Sequence, residues 1–366
     1  MSELVIGTGV DSPDKSAALL AQKFNRHTFW CGQSGSGKTY ALGVLLEQLL
    51  LHTELPLLVF DPNADFIHLD TPRPGANPVE SNALSAIPMR ILRSGTGDTD
   101  RVQVPFTKLS VASKAAVLQL DPLRDAEEYN ELLHFDSSAD ARSFDGDEYM
   151  SSLRSSGNPG LIKLATRIEN LQVLGWDVWS RGGESVTDII QDRPRATVME
   201  LGGFNDPAEP KLAALAVLEH LWANRMERKP VLIVIDEAHN LCSPNPVTSI
   251  EIALNEQLIQ IAAEGRKFGL WLFLSTQRPG KIHPQVLSQC DNLGLMRINS
   301  PRDLDELGSV FGFVPNELLN RSLSFRQGQG LFAGGFVGQS VVAQMRDRIT
   351  VEGGSDVAVP LRGETA

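Results

Sequence analysis

Cysteine is scarce: the 366 residues hold only Cys31, Cys242 and Cys290, an odd number with no paired spacing. That pattern excludes a disulfide framework and a cysteine-ligated zinc site, and it fits a reducing cytoplasm. Long apolar runs are missing too. The most apolar stretch, Ala41 to Leu51, is interrupted by Glu47 and Gln48 and is too short to span a bilayer. No N-terminal targeting pattern appears either, so no membrane anchor is expected. Positive charge is in deficit, with 33 Lys and Arg against 45 Asp and Glu and a net charge of −12. A surface that coats nucleic acid electrostatically is therefore excluded, and any such site must be local, as in the lining of a channel.

Apolar residues make up 42% and charged residues 21% of the chain, an ordinary globular balance. The length allows one large α/β domain with an insertion, or two modest domains; one large domain is the simpler expectation. Short β-branched and Leu-rich runs alternate with segments of helical period, the pattern of a mostly parallel sheet covered by helices. The expected core strands are Thr28 to Cys31, Leu57 to Phe60, Thr197 to Leu201, Val231 to Ile235, Leu270 to Ser275 and Leu293 to Ile298. Val231 to Ile235 reads VLIVI, wholly apolar, and so belongs in mid-sheet with both faces covered.

Three further segments complete the division. Leu42, Leu45, Leu46 and Leu49 recur at helical spacing between Thr39 and Leu51. Residues 111–185 carry helical period and no convincing strand, and are expected to form a helical insertion in a core of residues 1–110 and 186–345. The acidic cluster from Asp136 to Glu148 in that insertion reads as a solvated loop. From Arg346 onward the chain is polar and Gly-rich, which suggests an arm, 346–366, without a core of its own that docks on a neighbour. There is no internal repeat.

The chemistry starts at Gly32-Gln33-Ser34-Gly35-Ser36-Gly37-Lys38-Thr39, which matches G-x-x-x-x-G-K-[ST], follows an apolar strand and opens a helix. A triphosphate needs many donors at close range. Glycines let backbone N–H groups approach it, and the helix N-terminus adds the positive end of a dipole. Lys38 would reach the β- and γ-phosphates, Thr39 would offer its hydroxyl to Mg²⁺, and the loop through Tyr40 would hold the ATP.

Asp236 and Glu237 end the VLIVI strand, so their carboxylates emerge at the sheet edge where open α/β folds bind ligands. Asp236 would hold the Mg²⁺ or its waters, and Glu237 would polarise a water for attack on the γ-phosphate. Gln277 ends another strand and could sense the γ-phosphate or orient the water; a turn-capping role stays open. His27 and His239 flank these strands but lack partners at a useful spacing, so packing and capping are expected of them.

Four blocks together resemble the HerA/FtsK branch of P-loop ATPases: NRHTFWCGQSGSGKT at 25–39, LLVFDPNADF at 57–66, VLIVIDEAHN at 231–240 and AAEGRKFGLWLFLSTQRPGKI at 262–282. The last is the most specific. The resemblance implies a RecA-like sheet, a homo-hexameric ring with ATP sites between adjacent subunits, and translocation of duplex DNA in processing or defence against phage. By position Lys38 and Thr39 match the Walker A residues, Asp236 and Glu237 the Walker B pair, and Gln277 the strand-end sensor.

Arg266 matches an arginine that could reach a neighbour's nucleotide. An ion pair within the subunit, as to Glu264, is the equal rival, with Arg297 in reserve and Lys281 a candidate pore contact. Three departures accompany the match. Fewer than thirty residues precede the first core strand, so the N-terminal β-barrel of HerA proteins is not expected, which puts docking to a nuclease or effector partner in doubt. Asp65 stands where those proteins usually carry Glu. No winged-helix or transmembrane segment is seen. A viral or conjugative DNA-packaging ATPase, or an ATP-dependent switch that gates an effector, are the alternatives.

Overall fold

The computed structural model describes residues 2–95, 100–134 and 146–354. Eleven strands form one sheet: β1 Glu3–Gly9, β2 Ser16–Leu20, β3 His27–Cys31, β4 Leu57–Asp61, β5 Met89–Leu92, β6 Ala196–Glu200, β7 Val231–Ile235, β8 Leu270–Thr276, β9 Cys290–Leu295, β10 Gln329–Gly334 and β11 Val341–Met345. Their order across the sheet is β2-β1-β11-β10-β9-β3-β8-β7-β4-β6-β5. From β9 to β5 every neighbouring pair is parallel, and from β2 to β10 the pairs are antiparallel, as is β10 on β9. The sheet is thus mostly parallel, as expected, and β7 is the middle strand of its parallel part.

All five residues of β7 are buried because two separate cores claim them. Val231, Ile233 and Ile235 join one apolar cluster and Leu232 and Val234 the other, which is the strand period of two read across a sheet covered on both faces. Each such side chain contributes about 1.5–3 kcal/mol by leaving water. Helix α1, Lys38–His52, covers one face with Leu42, Leu45, Leu46 and Leu49.

The other face is covered from further along the chain. Between β5 and β6 the described residues form α3 Val111–Val117, α4 Ala126–Leu133, α5 Gly146–Ser155, α6 Pro159–Leu171 and α7 Val186–Gln191, after α2 Pro78–Ser85 earlier in the chain. Leu118, Leu132, Leu153, Leu164 and Ile168 from this region share one cluster with Leu212 of α8 (Glu209–Ala223) and Leu254 of α9 (Ser249–Glu264). These helices therefore thicken the core on the face opposite α1. Of the acidic stretch 136–148, residues 136–145 lie outside the described residues, while Asp147 and Glu148 sit in the first turn of α5.

Within residues 346–354, the described part of the expected arm, positions 348–350 pack against this chain's own α1. Arg348, Ile349 and Thr350 are buried to 2% exposure or less. Glu47, also buried, draws them in, because it accepts from the Ile349 and Thr350 amides at 2.8 Å each and from the Thr350 hydroxyl at 2.6 Å. The remainder of that expected arm, 355–366, is outside the described residues. Among the described residues no helix is long and apolar enough to cross a membrane.

Candidate active site

The glycine loop takes its shape from two residues with positive φ, Gly35 at 72° and Gly37 at 84°, the second capping the start of α1. An L side chain is strained there, and at Gly37 a Cβ would also stand 3.1 Å from the Gly328 amide nitrogen. The loop is pinned from outside. Gly32 N donates to Thr276 O at 3.3 Å, Gln33 N to Arg297 O at 2.9 Å, and Gly328 N to Ser36 O at 2.9 Å. Among the described residues the amides of Gly35, Gly37, Lys38, Thr39 and Tyr40 make no backbone hydrogen bond, and the buried Ser36 hydroxyl has no partner. Unpaired donors converging at a helix N-terminus suit an oligophosphate.

Lys38 extends from α1 into the carboxyl edge of the sheet. Its Nζ lies 2.8 Å from Asp236 Oδ1, 2.9 Å from Ser275 Oγ and 3.2 Å from Glu237 Oε1. Ser275 in turn donates to Asp236 Oδ1 at 2.6 Å. The lysine, the acidic pair and the end of β8 therefore share one cleft. Burial works against the Lys38 ammonium, but the two carboxylates outweigh it and hold its pKa above the ordinary value.

Glu237 sits in left-handed backbone, φ 43°, a conformation that non-glycine residues adopt at a cost of roughly 1–2 kcal/mol. Four groups hold its carboxylate: Lys38, the Gln277 side chain at 2.7 Å, the Gln277 amide at 3.3 Å and His239 Nδ1 at 3.2 Å. Burial pushes the Glu237 pKa up, yet the hydrogen bond from His239, the Lys38 charge and the Gln277 side chain together bring it down to about 2. His239 also lies 3.0 Å from Thr276 Oγ1. It thus caps polar groups at the ends of β7 and β8, and one of these is the Glu237 carboxylate. His27, by contrast, does pack: its Nδ1 accepts from Leu272 N at 2.8 Å inside the sheet, and burial lowers its pKa to about 4.

The DPNAD turn after β4 supplies two more carboxylates. Asp61 accepts from the amides of Asn63, Asp65 and Phe66, and burial nevertheless lifts its pKa to about 6. Asp65 is pushed further, to about 7, by burial and then by the charges of Asp236 and Asp61. Asp65 thus stands within electrostatic reach of the Lys38 cluster.

Arg266 lies elsewhere. It precedes β8, at the amino edge of the parallel strands, whereas Lys38, Asp236 and Gln277 stand at the carboxyl edge. Its Nη1 pairs with Asp291 Oδ2 at 2.6 Å and not with Glu264. Arg297 is close to the loop, with Nη2 3.3 Å from Gly35 O. Lys281 is exposed in a short 3₁₀ turn, Pro279–Lys281. The three cysteines are buried and free.

For a divalent cation, the described residues contain no group of three His, Cys, Asp or Glu side chains that could cage one. Buried Asp236 Oδ2 lacks any partner, however, and Thr39 lines a cleft together with Lys38, whose ammonium bonds the other Asp236 oxygen. One carboxylate and one hydroxyl with phosphate oxygens completing the shell suit Mg²⁺, which keeps waters and seldom takes an all-protein cage.

Residues 4–220 match the family Helicase HerA, central domain. The chain belongs to that family of P-loop ATPases. It is 23% identical over 356 residues to the DNA double-strand break repair helicase HerA of Saccharolobus solfataricus, an alignment covering 87% of this chain and 64% of that protein. To the probable HerA of Methanocaldococcus jannaschii it is 30% identical over 131 residues, 36% of this chain and 25% of the relative. The chain thus spans less than two thirds of the length of these relatives.

Among solved structures, VirB4 of Thermoanaerobacter pseudethanolicus superposes with a TM-score of 0.62 at 14% identity, covering 94% of this chain and 96% of the other. The bacterial conjugative coupling protein TrwBdeltaN70 gives 0.58 at 11% identity over 94% and 89%. At these identities the likeness is one of fold, the RecA-like α/β sheet.

Proposed function

We propose that the chain binds Mg²⁺ and ATP in this cleft, hydrolyses the ATP, and uses the cycle to move duplex DNA as one subunit of a six-membered ring. The observation that carries this is the meeting of Lys38 with Asp236 and Glu237, 2.8 and 3.2 Å away, beneath a glycine loop of unpaired amides. Lys38 would bind the β- and γ-phosphates, Thr39 and Asp236 the metal, and Gln277 and Glu237 the attacking water. Bound Mg²⁺ would supply charge neutralisation between the phosphates.

The electrostatics give the step an order. While Lys38 rests on the carboxylates, Glu237 is too weak a base to take a proton from water. A phosphate that draws the ammonium toward itself removes that charge from Glu237 and strengthens it as an acceptor. Base strength would then follow occupancy of the site.

The DNA half is supported by the HerA family membership and by the names of the relatives. A net charge of −12 requires the DNA-facing groups to be confined to a small region, which a ring channel provides. The test is steady-state ATPase with and without linear duplex DNA, with particle mass by light scattering. A hexamer stimulated by DNA is expected. A monomer whose turnover ignores DNA would refute the motor and leave an ATP-dependent switch.

A further inference from the structure

The cleft at Lys38 continues past the glycine loop to a total of ≈ 520 Å³, walled beyond Tyr40 by Gln327, Gln344, Arg346, Asp347 and Glu352. Sheet order fixes its direction. The loop after β3 has β8, with Gln277, on one flank, and β9, β10 and β11 on the other, so Gln327 and Gln344 lie across the loop from the hydrolytic groups. A triphosphate whose γ end meets Glu237 and Gln277 must leave its nucleoside at this far end.

The wall is fixed to the same helix that carries the phosphate loop. Arg348 N donates to Tyr40 Oη at 2.7 Å, and Glu47 of α1 holds the next two residues. The Arg348 guanidinium lies against Gly43 of α1, where a Cβ would stand 2.6 Å from its Cζ. One rigid element therefore sets the spacing between phosphates and wall. The far end holds Arg346, paired with Glu80, together with the carboxylates of Asp347 and Glu352, which can accept hydroxyl or amino hydrogens.

Resting on the ATPase reading above, we infer that this end is an adenosine subsite in which Gln344, with Gln327 beside it across Gly328, selects adenine. The Gln344 amide nitrogen lies over Gly328, 2.8 Å from where a Cβ would project, so the glycine keeps room for it. A primary amide offers one acceptor and one donor side by side. Adenine matches it with N7 and the N6 amino group, whereas guanine presents two acceptors, N7 and O6, and leaves the amide oxygen facing an acceptor.

The experiment is calorimetric binding of ATP, GTP and inorganic tripolyphosphate, each with Mg²⁺, to the full chain, to Gln327→Ala/Gln344→Ala and to Lys38→Ala. Both glutamines are exposed, so their truncation leaves the fold intact. The wild type should prefer ATP to GTP. The double variant should lose about tenfold for ATP, the loss of one or two neutral hydrogen bonds, keep its affinity for tripolyphosphate, and bind ATP and GTP alike. Lys38→Ala should weaken all three. An undiminished preference for ATP in the double variant, or equal weakening of ATP and tripolyphosphate, overturns the subsite while the ATPase reading stands. A wild type that binds none of the three overturns both.

Discussion

Gly43 sits in the middle of α1, where replacing glycine by alanine ordinarily stabilises a helix by about 0.5–1 kcal/mol. Here the reverse is expected. An alanine Cβ would lie 2.6 Å from both Cζ and Nε of Arg348, and the helix backbone cannot yield. The guanidinium has nowhere near to go: it is 1% exposed, lies 3.5 Å from Glu47 Oε1 and 3.1 Å from Thr350 Oγ1, and stacks 5.6 Å from the Phe66 ring centroid. Expelling it leaves Glu47 buried without its cation, which typically costs about 3–5 kcal/mol. After the helix-propensity gain, Gly43→Ala should destabilise the fold by about 2–4 kcal/mol. Urea unfolding followed by circular dichroism measures this. The cycle closes with Arg348→Ala, in whose background the alanine at 43 has no guanidinium to displace and should be neutral or stabilising. A single Gly43→Ala variant as stable as the wild type would refute the buried anchor.

Three other outcomes are expected. Glu237→Gln should keep ATP binding and lose hydrolysis, while Lys38→Ala loses binding itself; equal loss of nucleotide affinity in both, by calorimetry, contradicts the assigned roles. On the reading that Arg266 reaches a neighbour's nucleotide, Arg266→Ala should be inactive alone and regain hydrolysis when mixed with Glu237→Gln subunits, because a mixed interface would pair an intact carboxylate with an intact arginine; its exposed pair with Asp291 is worth only about 0–1 kcal/mol and can be given up, and no recovery at any mixing ratio would exclude a role across the interface. Asp65 has a folded pKa near 7 against an ordinary 3.8, so the proton it retains stabilises the fold fully below 3.8, and that contribution is lost progressively as pH rises from there through 7; the urea midpoint should fall between about pH 4 and pH 7, and a slope unchanged in Asp65→Asn would assign the effect elsewhere.

Six of the parallel strands were legible because burial on both faces leaves no solvent-facing alternation to break up short, largely apolar runs: HTFWC, LLVFD, ATVME and VLIVI are buried throughout. The antiparallel edge was not. In Glu3–Gly9 two glycines and three exposed positions dilute the pattern, and β2 is only five residues long; at the opposite, parallel edge β5 is shorter still, with four residues. The burial of Arg348, Ile349 and Thr350 was hidden for another reason. The polar residues of 346–354 look solvated in sequence, and only Glu47 and Gly43, some three hundred residues earlier, make a buried place for Arg348 and Thr350.

Within the site, the motif exposed Lys38, Asp236 and Glu237 because phosphate binding ties residue type to a fixed local spacing. Contacts between loops have no such signature. His239 reaches Glu237 because a 3₁₀ turn, Ala238–Asn240, follows the left-handed Glu237 and folds the ring back toward Thr276 of β8, a conformation that nothing in Asp-Glu-Ala-His announces. Arg266 shows the same blindness. Glu264 is its near neighbour in sequence, but residues two apart on a helical path do not face each other, whereas Asp291 comes alongside because β9 and β8 flank β3 in parallel. Sheet order, which no short window of sequence encodes, therefore decides which charge Arg266 meets.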